Sequence, residues 1–203
     1  MRKELKTDLT RSKIMKAAMD EFGANGYAAS SLNNICNTGI SKGLLYHNFT
    51  GKDDLYLACV AQCFHMLTEY LKASDIGTDL HQYAKVRLSF FREHENEARI
   101  FFESLLQPPE PLKEEITKAR AEFDAFNQEK YGQILDEIVL RPGVTKADSM
   151  HYLKLLQDMF NAYFSSPAVS ELPFKDTLAA HEEGLSKMFD FILYGIAERG
   201  ENK

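Results

Sequence analysis

Tryptophan is absent, cysteine occurs three times and proline six times in 203 residues. No apolar run approaches the ~20 residues of a membrane-spanning helix, so none is expected. With no leader pattern at the N-terminus, the chain reads as a cytoplasmic protein. An odd number of cysteines, none in a Cys-x-x-Cys pair, excludes a disulfide framework and points to reduced thiols. Cys59 and Cys63 stand i, i+4 on one helix face with His65 nearby. That spacing admits a redox or metal role but is met more often by small buried packing residues. Alternation of polar and apolar residues is missing throughout, as are internal repeats and low-complexity tracts. Also missing are a glycine-rich phosphate loop, paired carboxylates at catalytic spacing, a Ser/His/Asp set and any metal-ligand motif; His81, His94, His151 and His181 show no ligand spacing. These absences point away from an enzyme and from any cofactor or resident metal.

What is present is helical period. A chain of this length buries about 70 percent of the surface its unfolded form exposes, enough for a good core with a small appended module. Its charge is unevenly spread. Residues 1–52 carry eight Lys or Arg against four acids, a net +4, so the remainder carries −10 of the total −6. A basic head on an acidic body is the footprint of a protein that meets phosphate at one end. Arg2, Lys3 and Lys6 read as a basic arm before a first helix capped by Thr10. Ile14, Ala18 and Phe22 form the stripe of that helix, and Gly23 and Gly26 end it.

Residues 30–52, SSLNNICNTGISKGLLYHNFTGK, read as two short helices joined by a tight turn and followed by a third. Ser30 or Ser31 caps the first, Leu32, Ile35 and Cys36 give it one apolar edge, and Gly39 supplies the break. Ser41 caps the second. Leu44, Leu45 and Phe49 are expected to turn inward, leaving Lys42, Gly43, Tyr46, His47 and Asn48 outside. One buried edge and one edge of donors with an aromatic is the division of labour of a helix-turn-helix. On physical grounds Lys42 suits a guanine edge or a phosphate, Gly43 permits close backbone approach, Tyr46 and His47 reach phosphates or thymine methyls, and Asn48 can pair with a base edge. Lys52 is an unusual cation at a helix start, explained if it faces a phosphate.

Over roughly its first sixty residues the chain resembles the TetR family of bacterial transcriptional regulators. The matching residues are Ile14, Ala17, Ala18 and Phe22, then Asn25-Gly26-Tyr27, Ile40-Ser41-Lys42-Gly43, Leu45-Tyr46-His47, Phe49 and Lys52-Asp53-Asp54-Leu55. The segment between Ile35 and Gly39 is one residue shorter than the family's usual pattern, and Leu44 stands where many members carry Thr. The resemblance implies DNA contact by Ser31, Lys42, Tyr46, His47 and Lys52. It also implies a homodimer formed by the last two helices.

After residue 52 the period predicts helices over 52–72, 80–94, 95–106, 112–140, 145–164 and 175–197. The expected fold is all-α: a three-helix helix-turn-helix head (1–52) joined by a long lever helix (53–72) to a ligand-binding and dimerisation body (53–203). Phe101, Phe102, Phe123, Phe126, Phe160 and Tyr163 are candidates to line an effector cavity. The expected function is a repressor released from a palindromic operator in double-stranded DNA by a small-molecule effector. The alternative is a ligand-binding or protein-interaction module of the same fold that has lost DNA binding.

Overall fold

The computed structural model describes residues 2–196, with the side chains of 9–169 and 171–194. Its helices are α1 (Arg2–Ala29), α2 (Leu32–Asn37), α3 (Lys42–Asn48), α4 (Lys52–Ala73), α5 (Leu80–Glu93), α6 (Glu95–Leu106), α7 (Lys113–Ala119), α8 (Ala121–Glu137), α9 (Lys146–Phe164), α10 (Pro167–Ser170) and α11 (Phe174–Ile196), with a 3-10 turn at Glu110–Leu112. No strand runs through the described residues, and the all-α expectation holds. None of the described helices is long and apolar enough to cross a membrane.

Two of the longer elements differ from expectation, and the short α10 stands where a loop was expected. The first helix begins at Arg2 rather than at a Thr10 cap. Glu4, Leu5 and Lys6 are good helix formers with no Gly or Pro to stop them, so propensity carries the helix past Thr10. The side chains of Arg2, Lys3 and Lys6, expected as a basic arm, lie outside the described residues. The single helix expected over 112–140 is instead α7 and α8, parted at Arg120, whose backbone (φ −92°, ψ 0°) leaves the helix while its N–H reaches the Ile116 and Lys118 carbonyls. No Gly or Pro marks that point, so packing rather than local chemistry sets the break.

By packing, the chain divides into two units, residues 1–66 with 91–122, and residues 67–90 with 123–203. This division runs through α4 and differs from the functional boundary expected at residue 52.

The first unit is built on aromatic contacts along α1, α4 and α6. Phe22 meets Tyr56 edge-on at 5.1 Å, and Phe101 lies 4.7 Å from Phe64 and 5.0 Å from Phe91. α6 crosses α1 closely at Gly23, where any side chain would collide with Asn96, and Asn96 donates to Asp20 at 3.0 Å.

The second unit encloses a polar network. Arg87 on α5 grips Glu182 on α11 with two hydrogen bonds of 2.9 and 3.0 Å, and both side chains are buried. His181 faces Glu182 at 3.1 Å and Asn161 at 3.3 Å, and the Tyr83 hydroxyl donates to Asn127 at 2.7 Å. Burial pushes the Glu182 carboxyl up, but Arg87 and then His181 overcome it and hold its pKa at about 2. On the outside of this unit, Tyr152, Leu155, Met159 and Tyr163 share one face of α9, and Phe191 and Tyr194 stand out from α11.

The depressed Glu182 value makes the second unit sensitive to acid. Its stabilisation is complete above the ordinary value of 4.5 and is lost as pH falls toward about 2, where the folded state must take up the proton. Thermal unfolding should therefore show a midpoint that drops through this window, and drops less steeply in Glu182→Gln. At neutral pH, Arg87→Met strands a buried carboxylate and should cost about 3 to 5 kcal/mol in urea denaturation.

Candidate nucleic-acid interface

A seven-residue helix such as α3 cannot hold itself in water, so its geometry comes from its neighbours. α1 breaks first. Gly26 adopts φ 69° and ψ 173°, a region open almost solely to glycine, and the chain leaves the helix axis there. The freed Tyr27 N–H donates to both carboxylate oxygens of Glu103 on α6, at 2.9 and 3.1 Å. The Tyr56 hydroxyl from α4 donates to the same carboxylate at 2.9 Å. A Cβ on Gly26 would sit 2.9 Å from Glu103 Oε1, so the missing side chain also makes room for the acceptor.

From this junction two short chains of contacts reach the reading helices. Toward α2, Glu21 accepts from the Ser31 N–H at 3.0 Å and the Asn34 amide at 2.8 Å, while the Ser31 hydroxyl caps α2 by accepting from the Asn34 N–H at 3.1 Å. Toward α4, the Tyr27 hydroxyl donates to Asp53 at 2.7 Å, which raises the Tyr27 pKa through that hydrogen bond and then burial. The Lys52 ammonium lies 4.6 Å from the Tyr27 ring centre and donates to the Ala28 carbonyl at 3.3 Å.

The turn between α2 and α3 is closed within its short length by Gly39, at φ 97°. Its N–H donates to the Cys36 carbonyl at 3.1 Å, the Ile40 N–H to the same carbonyl at 3.2 Å, and the Thr38 hydroxyl to Ile35 at 2.8 Å. Ser41 caps α3, accepting from the Leu44 N–H at 3.3 Å. Leu45 and Phe49 are buried as expected, and the Arg11 guanidinium stacks 4.4 Å over the Phe49 ring.

Lys42, Gly43, Tyr46 and His47 are exposed together on the outer face of α3. Two neighbours depart from expectation. Leu44, expected inside, is 40% exposed and joins that face, because Leu45 and Phe49 already fill the inner edge. Asn48, expected outside, is half-buried and gives its amide to the Leu44 carbonyl at 2.8 Å. Ser31 serves as a cap, and Lys52 spends one of its three donors on Ala28.

The six aromatics considered for an effector cavity divide between the two units. Phe101 and Phe102 are core rings of the first unit, 5.4 Å apart. Phe123 and Phe126 are buried in the second, where the Arg87 guanidinium lies 5.8 Å over the Phe123 ring. Phe160 packs against His181 at 4.9 Å, and Tyr163 is exposed. A small cavity of about 20 Å³ lies in the second unit, among Leu80, Tyr131, Ser149, Leu153 and Ile192. It has room for about one water.

One grouping escaped the sequence reading because its members lie far apart in the chain. His81 stands 2.9 Å from the Ser186 hydroxyl and 2.8 Å from Asp190. Ser186 and Asp190 sit inside α11, and the trio ties α5 to α11.

Residues 14–59 match the family model of bacterial regulatory proteins, tetR family. The HTH-type transcriptional regulator UidR of Escherichia coli (strain K12) is 41% identical over 54 residues, covering 26% of this chain and 28% of UidR. The HTH-type transcriptional regulator RutR of the same strain is 28% identical over 109 residues, 51% of each chain. The match therefore spans no more than about half the length of these relatives. Among solved structures, NalD, the secondary repressor of the MexAB-OprM multidrug efflux pump in Pseudomonas aeruginosa, aligns with a TM-score of 0.60 at 20% identity, covering 96% of this chain and 99% of NalD.

Gly26 and Gly39, the positive-φ glycines of this head, should respond differently to a methyl group. Gly39→Ala meets open space and carries only backbone strain, about 1 to 2 kcal/mol. Gly26→Ala carries comparable strain and also expels Glu103, leaving the Tyr27 N–H without its acceptor for about 1 to 3 kcal/mol more. Urea denaturation of the two variants checks the order.

Proposed function

We propose that the chain is a ligand-responsive repressor of the TetR family, held as a homodimer on a palindromic operator and released by a small-molecule effector. That it is a DNA-binding transcriptional regulator rather than an enzyme is the common character of its relatives. The observation that carries the finer reading is the outer face of α3, where Lys42, Gly43, Tyr46 and His47 stand exposed on a helix pinned at both ends. Lys42 serves a guanine edge or a phosphate, Tyr46 and His47 the phosphates and thymine methyls, and Gly43 the close approach. Ser31 at the start of α2 and Lys52, with its two remaining donors, serve phosphates. Asn48 would reach a base edge only by releasing Leu44.

The exposed apolar faces of α9 and α11 support the dimer. Tyr152, Leu155, Met159, Tyr163, Phe191 and Tyr194 are large side chains between 44% and 73% exposed on two helices that pack together. A second copy of the same faces would cover them about a two-fold axis, and two reading helices would then meet two half-sites. The functional division at residue 52, with 53–203 as effector and dimerisation domain, is part of the same proposal.

For the effector we place the site in the helical body. The cavity of about 20 Å³ beside Tyr131 and Ser149 would have to open to reach the ~300 to 1,000 Å³ of ordinary ligand pockets. A ligand that fits the opened state better shifts the equilibrium by its differential affinity, typically about 1 to 3 kcal/mol. Of the six aromatics, Phe123, Phe126 and Phe160 remain candidates for the opened cavity. Phe101 and Phe102, in the first unit, and the exposed Tyr163 are weaker ones.

Selection from a random DNA pool should return a palindrome, and binding to it should weaken with salt by ~0.9 log units per phosphate contact per decade. Tyr46→Ala should lower affinity for that palindrome while sedimentation still reports a dimer. Wild-type protein that selects no sequence would favour the module that has lost DNA binding, and unaltered affinity in Tyr46→Ala would remove α3 from the interface.

A further inference from the structure

Cys59 and Cys63 lie one turn apart on the buried face of α4, 0% and 1% exposed. On a helix, side chains at that spacing stand about 5 to 6 Å apart at Cβ. The Cys63 sulfur faces the thioether sulfur of Met19, on α1, at 3.8 Å. Two sulfurs that each bind a metal at about 2.3 Å stand roughly 3.8 to 4.0 Å apart when the angle between them is tetrahedral to trigonal. Cys63 and Met19 already have the separation of two ligands of one ion, and Cys59 stands one helical turn from Cys63 on the same buried face.

We propose that Cys59, Cys63 and Met19 form a sulfur site for a soft cation of the Cu(I) class. It is a property of the first packing unit and does not rest on the DNA-binding reading. Two thiols and a thioether are soft donors, which suit monovalent copper and leave a harder ion poorly served. Zn(II) would want four donors, with nitrogen or oxygen able to complete the set.

Access comes from a surface groove of about 470 Å³ bordered by Met15, Met19, Gln62, Arg11 and Lys16, with Asp20 and Glu97 also on its walls. Met19 belongs both to this groove and to the sulfur pair, and so links the groove to the thiols.

Without metal the thiols are protonated. Burial, with a smaller contribution from the Glu97 charge, pushes Cys59 up to about 12, and burial pushes Cys63 well above its ordinary range. Nucleophilic reactions of these thiols are suppressed accordingly. Metal entry breaks two S–H bonds, forms two sulfur–metal bonds and one thioether–metal bond, and releases two protons to the buffer. The metal keeps its oxidation state.

The test uses the full chain under anaerobic conditions, with Cu(I) supplied from a chromophoric chelator and Ag(I) as its redox-silent substitute. The expected result is one ion per chain with release of about two protons per ion. Cys36→Ser should leave uptake unchanged, Cys63→Ala and Cys59→Ala should lose it while keeping the helical circular dichroism, and Met19→Leu should weaken it by about tenfold or more. X-ray absorption of the unaltered protein should show a sulfur-only shell at about 2.3 Å. No uptake, uptake that survives Cys63→Ala, or a first shell of nitrogen and oxygen would each overturn the proposal.

Discussion

The Glu103 carboxylate is the constraint on which the reading head depends. It accepts from the backbone of Tyr27 and the hydroxyl of Tyr56, and so joins α6 to the broken end of α1 and to α4 at one point. A helix interrupted at Gly26 exposes an N–H that must find a partner, and a charged acceptor is stronger than a neutral one. Tyr27 then passes the constraint on through its hydroxyl to Asp53 and through its ring to Lys52, at the start of α4. The α2–α3 pair is therefore suspended between two helices that one carboxylate fixes.

With its surroundings fixed, α3 needs few contacts of its own. Leu45 and Phe49 anchor it from the inside, Ser41 closes its N-terminus, and Asn48 ties back to Leu44. Every remaining position of this short helix faces outward. The result is a surface of Lys42, Leu44, Tyr46 and His47 with a gap at Gly43, mixed in chemistry because it is not required for stability.

The second unit has the opposite character. Its centre holds a buried ion pair with further polar partners, and no buried side-chain nitrogen or oxygen among the described residues lacks a hydrogen bond. Such a network is costly if any member is lost, and it contributes alignment more than net stability. Its outer face, by contrast, carries uncovered aromatics on α9 and α11.

Much of this was legible in the residues alone, wherever the deciding interactions are local. Capping by Ser31 and Ser41, the turn at Gly39, the break at Gly26, the periods of α4, α5, α6, α9 and α11, and the exposed quartet of α3 all arise from contacts within about one helical turn. What only the tertiary structure decided joins residues remote in sequence. Glu103 meets Tyr27 across 76 positions and Arg87 meets Glu182 across 95, the break at Arg120 has no local marker, and Leu44 is turned out because two other side chains filled the space first. Periodicity reports which face of a helix is apolar, but the partner of each polar group and the room left for each apolar one depend on elements that the period does not relate.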